Sequence, residues 1–126
     1  MAKITMNKVC IMHVVECAGG VERYLRMLSA GLSRNRFYQI LVCSDDYEDV
    51  DFPYMDRIIH ISDMHNELSL INDIRSIHKV RRIIKADCPD IVYCHSSKGG
   101  GVGRLAALGL PCKVVYNPHG WAFNIK

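Results

Sequence analysis

The chain is 126 residues long, with 49% hydrophobic and 23% charged residues and a formal net charge of +3. That length suits a single domain around one core, and the composition is that of an ordinary globular protein, which excludes a disordered chain. The net charge is too small to indicate nucleic acid binding, so we expect no nucleic acid partner.

The six cysteines are scattered and form no CxxC pair, which excludes the spacings of zinc ribbons and thioredoxin-like redox sites. Cys10, Cys43 and Cys94 lie in apolar, strand-like runs, where a thiol behaves as a small hydrophobic group. Residues 1–8 lack the apolar core of a signal peptide, and no apolar run is long enough to span a bilayer. We therefore expect reduced, structural cysteines and a cytoplasmic protein.

The first half of the chain predicts three strands and one helix. The nearly continuous apolar run of residues 9–15 predicts a central strand covered on both faces, and a turn at residues 17–20 follows it. The next apolar residues recur at helical spacing and predict a helix; they are Val21, Leu25, Leu28 and Leu32. Residues 38–43 and 57–61 predict the second and third strands, with an acidic loop between them.

The second half continues the alternation of helices and strands. Residues 68–86 predict a long amphipathic helix, which Pro89 stops because proline has no N–H. Residues 91–93 and 113–116 predict the fourth and fifth strands. The alternation predicts a Rossmann-like α/β fold, a parallel sheet of about five strands with flanking helices. The exposed face of the long helix is predicted to carry Arg75, Lys79, Arg81, Arg82 and Lys85.

A polar turn follows the fourth strand, and ligands of open parallel sheets lie outside the carboxyl ends of the strands. The residues that could hold a sugar or a pyrophosphate oxygen there are His95, Ser96, Ser97 and Lys98. The alternative is a solvated turn with a serine helix cap. The glycines at 99–101 predict a tight turn or a close approach to a ligand, and residues 103–108 predict a short helix.

Three motifs, each next to a strand, carry a resemblance to a known family. They are Gly-Gly-Val-Glu-Arg at 19–23, Pro-Asp-Ile-Val before the His-Ser-Ser-Lys turn at 89–98, and His-Gly-Trp at 119–121. In order and spacing they resemble the N-terminal domain of family-four glycosyltransferases, the two-domain GT-B enzymes that build bacterial surface polysaccharides. The resemblance covers nearly the whole chain.

The resemblance implies an acceptor-side domain of a retaining, nucleotide-sugar-dependent glycosyltransferase that uses no metal and no other cofactor. Gly19 and Gly20 would approach the donor diphosphate, His119 would face the transferred sugar in the catalytic site, and residues 95–98 would face the acceptor. The partners of the full-length enzyme would be a nucleotide sugar and a sugar or lipid-linked acceptor. Residues 1–126 would be an incomplete N-terminal domain without its nucleotide-sugar domain, and therefore inactive alone.

Each assignment has a plainer alternative. The two glycines could form a tight turn without a ligand, and His119 could only satisfy a local backbone group. The basic helix face could meet anionic lipid at the inner side of the membrane, or be an ordinary solvated face. The fifth strand could leave an exposed edge that self-associates. The alternative for the whole chain is a non-catalytic Rossmann-like module that binds a nucleotide or a partner.

Two other patterns are set aside. Residues 101–106 fit the GxGxxA dinucleotide fingerprint, but that fingerprint belongs to the first strand–helix turn of a unit, and this one follows the fourth strand. The acidic triplet at 49–51 imitates a metal-binding DxD, and a solvated loop is preferred. A third group of possible metal ligands has a spacing that matches no known ligand set, and we assign it to a surface loop. Its members are His60, Asp63, His65 and Glu67.

Overall fold

A computed structural model describes residues 8–15, 20–45, 52–62, 70–95 and 97–117, with the backbone alone for 20–22, 70, 97–101 and 117. The elements in chain order are β1 (Val9–Val14), α1 (Gly20–Gly31), β2 (Phe37–Cys43), β3 (Arg57–His60), α2 (Leu70–Asp87), β4 (Ile91–His95), α3 (Ser97–Ala106) and β5 (Lys113–Asn117).

The strands form one parallel sheet in the order β3-β2-β1-β4-β5. The predicted Rossmann-like fold is confirmed, and β1 is central, as its apolar run indicates. β3 and β5 are the edges, and Val114 and Val115 of β5 are 40% and 37% exposed. The fifth strand is therefore an edge strand, as predicted.

Alternating side chains of the strands build a hydrophobic core on each face of the sheet. On one face, Met12, Val14 and Val92 pack with Val80 of α2 and Val102 of α3. On the other face lies a smaller core that contains Leu25 of α1 together with Val15, Leu41, Cys43, Phe52 and Met55. The sheet thus has two helices on one side and α1 on the other.

The prediction of a glycine turn at residues 99–101 is wrong, because α3 already begins at Ser97 and contains these glycines. The helix also starts earlier than the predicted residue 103. At Gly103 in the same helix, an added Cβ would overlap the Sγ atom of Cys94 in the sheet. At this position the missing side chain lets α3 approach the sheet closely.

The thiol predictions are confirmed for Cys10, Cys43 and Cys94, which are buried and form no disulfide. Burial raises the pKa of the Cys94 thiol to about 12, so it stays protonated. Arg81 departs from the predicted basic face, because its guanidinium donates to the carbonyls of Ala106 and Leu108 at 3.1 and 2.7 Å and so caps the end of α3.

An aspartate before β4 joins three strands at their amino ends. The Asp90 carboxylate accepts from the Cys10 N–H at 2.8 Å, and its backbone N–H donates to the Cys10 carbonyl at 2.9 Å. The Asp90 carbonyl accepts from the Lys113 N–H at 3.0 Å. Just before β3, Asp56 bonds to Gln39 of β2 in the same way. The Asp56 carboxylate accepts from the Gln39 N–H, and the Asp56 N–H donates to the Gln39 carbonyl. The Pro-Asp-Ile-Val motif therefore has a structural role, because its aspartate helps to fix the register of β4 against β1 and β5.

We expect Asp90→Ala to destabilise the chain by about 2 kcal/mol, because a hydrogen bond to a charged group is lost and the Cys10 N–H loses its acceptor. Asp90→Asn should cost less, since an amide oxygen still accepts. Urea denaturation measures both changes, with Asp45→Ala on the exposed loop as the control. Equal stability of the Asp90→Ala and Asp45→Ala proteins would contradict this role.

Candidate functional site

The carboxyl ends of the central strands lie together at one edge of the sheet. Val14 of β1 pairs with Cys94, and His95 of β4 pairs with Asn117 of β5. Among the predicted site residues, Gly20 is the first residue of α1, and Ser97 and Lys98 begin α3 just after β4. Gly19, Ser96 and His119 lie outside the described residues.

His95 is the last residue of β4 and is fully buried, so it is not part of a solvated turn. Its imidazole stacks on the Tyr93 ring, with centroids 4.2 Å apart and planes within 5°. The Tyr24 ring of α1 lies 6.0 Å away, and the Tyr24 and Tyr93 hydroxyls are 3.0 Å apart in a hydrogen bond. These aromatic contacts tie the end of β4 to α1.

A second buried histidine, His13 of β1, connects to His95. Its Nδ1 lies 3.2 Å from His95 Nε2, and its Nε2 lies 3.2 Å from Gln39 Oε1. Gln39 Nε2 in turn donates to the Ser29 carbonyl at 3.1 Å. Burial lowers the pKa of His13 from 6.5 to about 4, partly offset by the hydrogen bond to Gln39, so the ring is neutral near pH 7.

No sequence pattern identified His13, Gln39 or Tyr24 as residues of the site. His13 and Gln39 stand inside strands that are otherwise apolar, and a polar side chain in a buried strand needs a hydrogen-bond partner. That rule is the signal that could have identified the pair. It could not have shown that the partner is His95, because their contact joins positions 82 residues apart.

The remaining predicted sites fall in three places. Residues 101–106 lie inside α3, so they form no phosphate-binding turn. His60 is exposed but is the last residue of β3, so its assignment to a surface loop is wrong. Its Nδ1–H donates to the Ser44 carbonyl at 3.1 Å. Residues 49–51 and 63–67 lie outside the described residues. In the described part of the chain, no three His, Cys, Asp or Glu side chains are grouped to hold a metal ion.

None of the helices in the described ranges is long and apolar enough to cross a bilayer. The face of α2 that points to solvent carries four cations and two isoleucines. Ile71 is 65% exposed and Ile74 is 48% exposed. The cations follow at helical spacing along the same side, and they are Arg75, Lys79, Arg82 and Lys85.

Comparison with known proteins places the chain in a family. The sequence profile of Glycosyltransferase Family 4 matches residues 18–125. The Escherichia coli enzyme UDP-Gal:alpha-D-GlcNAc-diphosphoundecaprenol alpha-1,3-galactosyltransferase is 34% identical over 129 residues, which cover 97% of this chain. The match covers 33% of that enzyme, so the chain spans about a third of the length of this curated relative.

Solved structures share the fold at lower identity. The lipopolysaccharide outer core galactosyltransferase WaaB, in its apo form, matches with a TM-score of 0.61 and 16% identity over 89% of this chain and 33% of its own. A Listeria monocytogenes protein assigned as a UDP-N-acetylglucosamine 2-epimerase matches with a TM-score of 0.69 and 17% identity over 86% of this chain and 30% of its own. The profile match covers most of the chain, and together with the galactosyltransferase relative it shows that the chain belongs to Glycosyltransferase Family 4.

Proposed function

We propose that this chain is the acceptor-side domain of a retaining, nucleotide-sugar-dependent glycosyltransferase that acts in surface polysaccharide synthesis. The observation that carries the proposal is the match of residues 18–125 to the family. The name of the E. coli relative specifies UDP-galactose and a sugar on diphosphoundecaprenol. By analogy, the proposed substrates are a UDP-hexose donor and a polyprenyl-diphosphate-linked sugar acceptor, with no resident metal or organic cofactor.

The proposed site uses the carboxyl edge of the sheet. α1 begins at Gly20 and α3 at Ser97, and helix N-termini present N–H groups and a positive dipole that suit phosphate oxygens. Gly19 and Gly20 are proposed to approach the donor diphosphate, and His119 to hydrogen-bond the transferred sugar. Residues 95–98 are proposed to form the acceptor side, where the buried His95 joins that segment to the core.

We expect the purified 126-residue chain to transfer no sugar. Stabilising developing charge and positioning the reactants are usually the largest catalytic contributions, and both are proposed to need the other two thirds of the relative's length. The assay offers labelled UDP-sugars and polyprenyl-diphosphate-linked acceptors to the chain, with the full-length E. coli relative as the positive control, with and without EDTA. Transfer by the chain above the no-enzyme rate, abolished by His119→Ala, would contradict the proposal.

The exposed cations and isoleucines of α2 support a further part of the proposal, a peripheral contact with anionic membranes that brings the lipid-linked acceptor within reach. Each cation near an anionic surface contributes about 1 kcal/mol, so Arg75→Gln, Lys79→Gln and Arg82→Gln together should weaken binding to phosphatidylglycerol vesicles about 100-fold. The control removes three other exposed cations, Arg23, Arg36 and Lys113. Equal losses in sedimentation assays of the two triple variants would exclude a specific contact through α2.

A further inference from the structure

Four buried polar groups beneath α1 form a continuous chain of hydrogen bonds that the proposed reaction does not assign. The chain runs from the Ser29 carbonyl through Gln39 and His13 to His95, with donor–acceptor distances of 3.1, 3.2 and 3.2 Å. All four residues are at most 1% exposed. Unpaired polar groups are costly at such depth, so each link needs one donor and one acceptor.

The Ser29 carbonyl sets the direction of this chain because a main-chain carbonyl can only accept. Gln39 must therefore turn its NH2 group toward Ser29 and its carbonyl oxygen toward His13. The opposite amide orientation would place two acceptor oxygens against each other. The hydrogen-bond network thus assigns the orientation of the Gln39 amide.

The orientation of Gln39 assigns the protons of His13 in turn. Gln39 Oε1 is an acceptor, so His13 Nε2 carries the hydrogen. Burial lowers the pKa of His13 to about 4, so the ring holds a single proton at neutral pH. His13 Nδ1 is consequently an acceptor, and the group that faces it is His95 Nε2.

We propose that His13 and Gln39 are positioning residues that commit His95 Nε2 to donating a hydrogen bond to His13 Nδ1, and we call this arrangement of hydrogens along the network its proton order. The Tyr93 stack, at 4.2 Å and 5°, holds the plane of the same ring. Tyr24 fixes Tyr93 through their hydroxyls. Both the orientation and the proton order of His95 are therefore set by residues of β1, β2, β4 and α1.

This inference deepens the proposed function, on which it rests for the place of His95 at the acceptor side. His95 is fully buried and its Nε2 hydrogen is directed to His13, so in this proposal it orients the 95–98 segment and is not itself the group that meets a phosphate oxygen. Recognition of a diphosphate near β4 then belongs to Lys98 and the N-terminus of α3. The proposal thus separates the positioning residue of this segment from its anion-binding part.

The proton order can be measured directly in the whole 126-residue chain. In a uniformly 15N-labelled sample near pH 7, NMR experiments that detect scalar coupling across N–H···N hydrogen bonds report both the donor and the acceptor nitrogen. We expect a proton on His95 Nε2 correlated with His13 Nδ1. A proton on His13 Nδ1 correlated with His95 Nε2, or no correlation between the two rings, would overturn the proposal.

A variant tests the part played by Gln39. Gln39→Met keeps the approximate shape but removes the acceptor for His13, so the correlation should lose at least about half its intensity as His13 samples both tautomers. The control, His78→Gln on the exposed side of α2, should leave it intact. An unchanged correlation in folded Gln39→Met would overturn the role of Gln39, and if that variant does not fold, the wild-type spectrum decides. No substrate is present, so this outcome is independent of the transfer assay.

Discussion

Replacing Gly103 with alanine is expected to destabilise the chain by about 2 kcal/mol, although alanine is the better helix former. Gly103 lies in α3 against the sheet, where an added Cβ would overlap Cys94 Sγ and come within 3.6 Å of the Val14 Cβ. Cys94 and Val14 are both fully buried, and close-packed interiors accommodate an extra methyl group only by moving their neighbours.

The same substitution at Gly31 is a matched control, because this helical glycine has open space where the Cβ would stand. Gly31→Ala should leave the free energy of unfolding unchanged or raise it by about 0.5 kcal/mol. Guanidinium denaturation should therefore show a large loss in the free energy of unfolding for Gly103→Ala, and a small gain or no change for Gly31→Ala.

A second substitution tests whether the sulfur causes the loss. Cys94→Ala removes Sγ and leaves a small cavity, which the Gly103→Ala methyl group can partly fill. The double variant should be more stable than the sum of the two single changes by about 1 kcal/mol or more. Strict additivity would show that Gly103 is required for another reason.

The sheet could be predicted because its signals are local. The apolar run of β1 indicates burial on both faces, and each later strand alternates with helical periodicity. The ends of α2 and β5 differ from their predicted positions by one residue, at Asp87 and Asn117, which is within the usual uncertainty of element boundaries.

The glycines of α3 could not be interpreted in the same way. Glycine permits an unusual backbone, but it also permits close packing, and the sequence does not distinguish the two uses. At residues 99–101 a tight turn or a close approach to a ligand was predicted, and the structure has a helix there. The decisive contact, Gly103 against Cys94, joins two elements and depends on how α3 lies on the sheet.

The candidate site could be predicted as an edge of the sheet but not as a network. His95 was identified from its place after an apolar strand, and the Rossmann-like topology confirms that position. Its burial and its link to His13 follow from the parallel pairing of β1 with β4, which places Tyr93 beside His13. Gln39 of β2 joins the network by donating a hydrogen bond to the Ser29 carbonyl of α1. Such a network depends on four elements at once.

Lowering the pH from 6.5 to 4 is expected to remove about 3 kcal/mol of stability through His13 alone. Folding lowers the pKa of this ring from 6.5 to about 4, because burial disfavours the charged form. Between these values the unfolded chain binds a proton that the folded chain does not, so the free energy of unfolding falls as the pH falls. The stabilisation that comes from keeping His13 neutral is complete above pH 6.5, and the free energy of unfolding falls by about 1.4 kcal/mol for each pH unit below it.

Urea denaturation at several pH values from 7 to 5 measures this slope, and the range stays above the ordinary carboxylate pKa values of about 4. His13→Gln removes the titrating group and keeps an amide that can donate to Gln39 and accept from His95. In this variant the slope of the free energy of unfolding against pH should correspond to about one proton fewer than in the wild type, whatever the stability of the variant at pH 7. His78→Gln changes an exposed histidine by the same chemistry and should retain the wild-type slope. If the His13→Gln and wild-type slopes coincide, folding does not lower the pKa of His13, and the claim that burial excludes the charged ring is wrong.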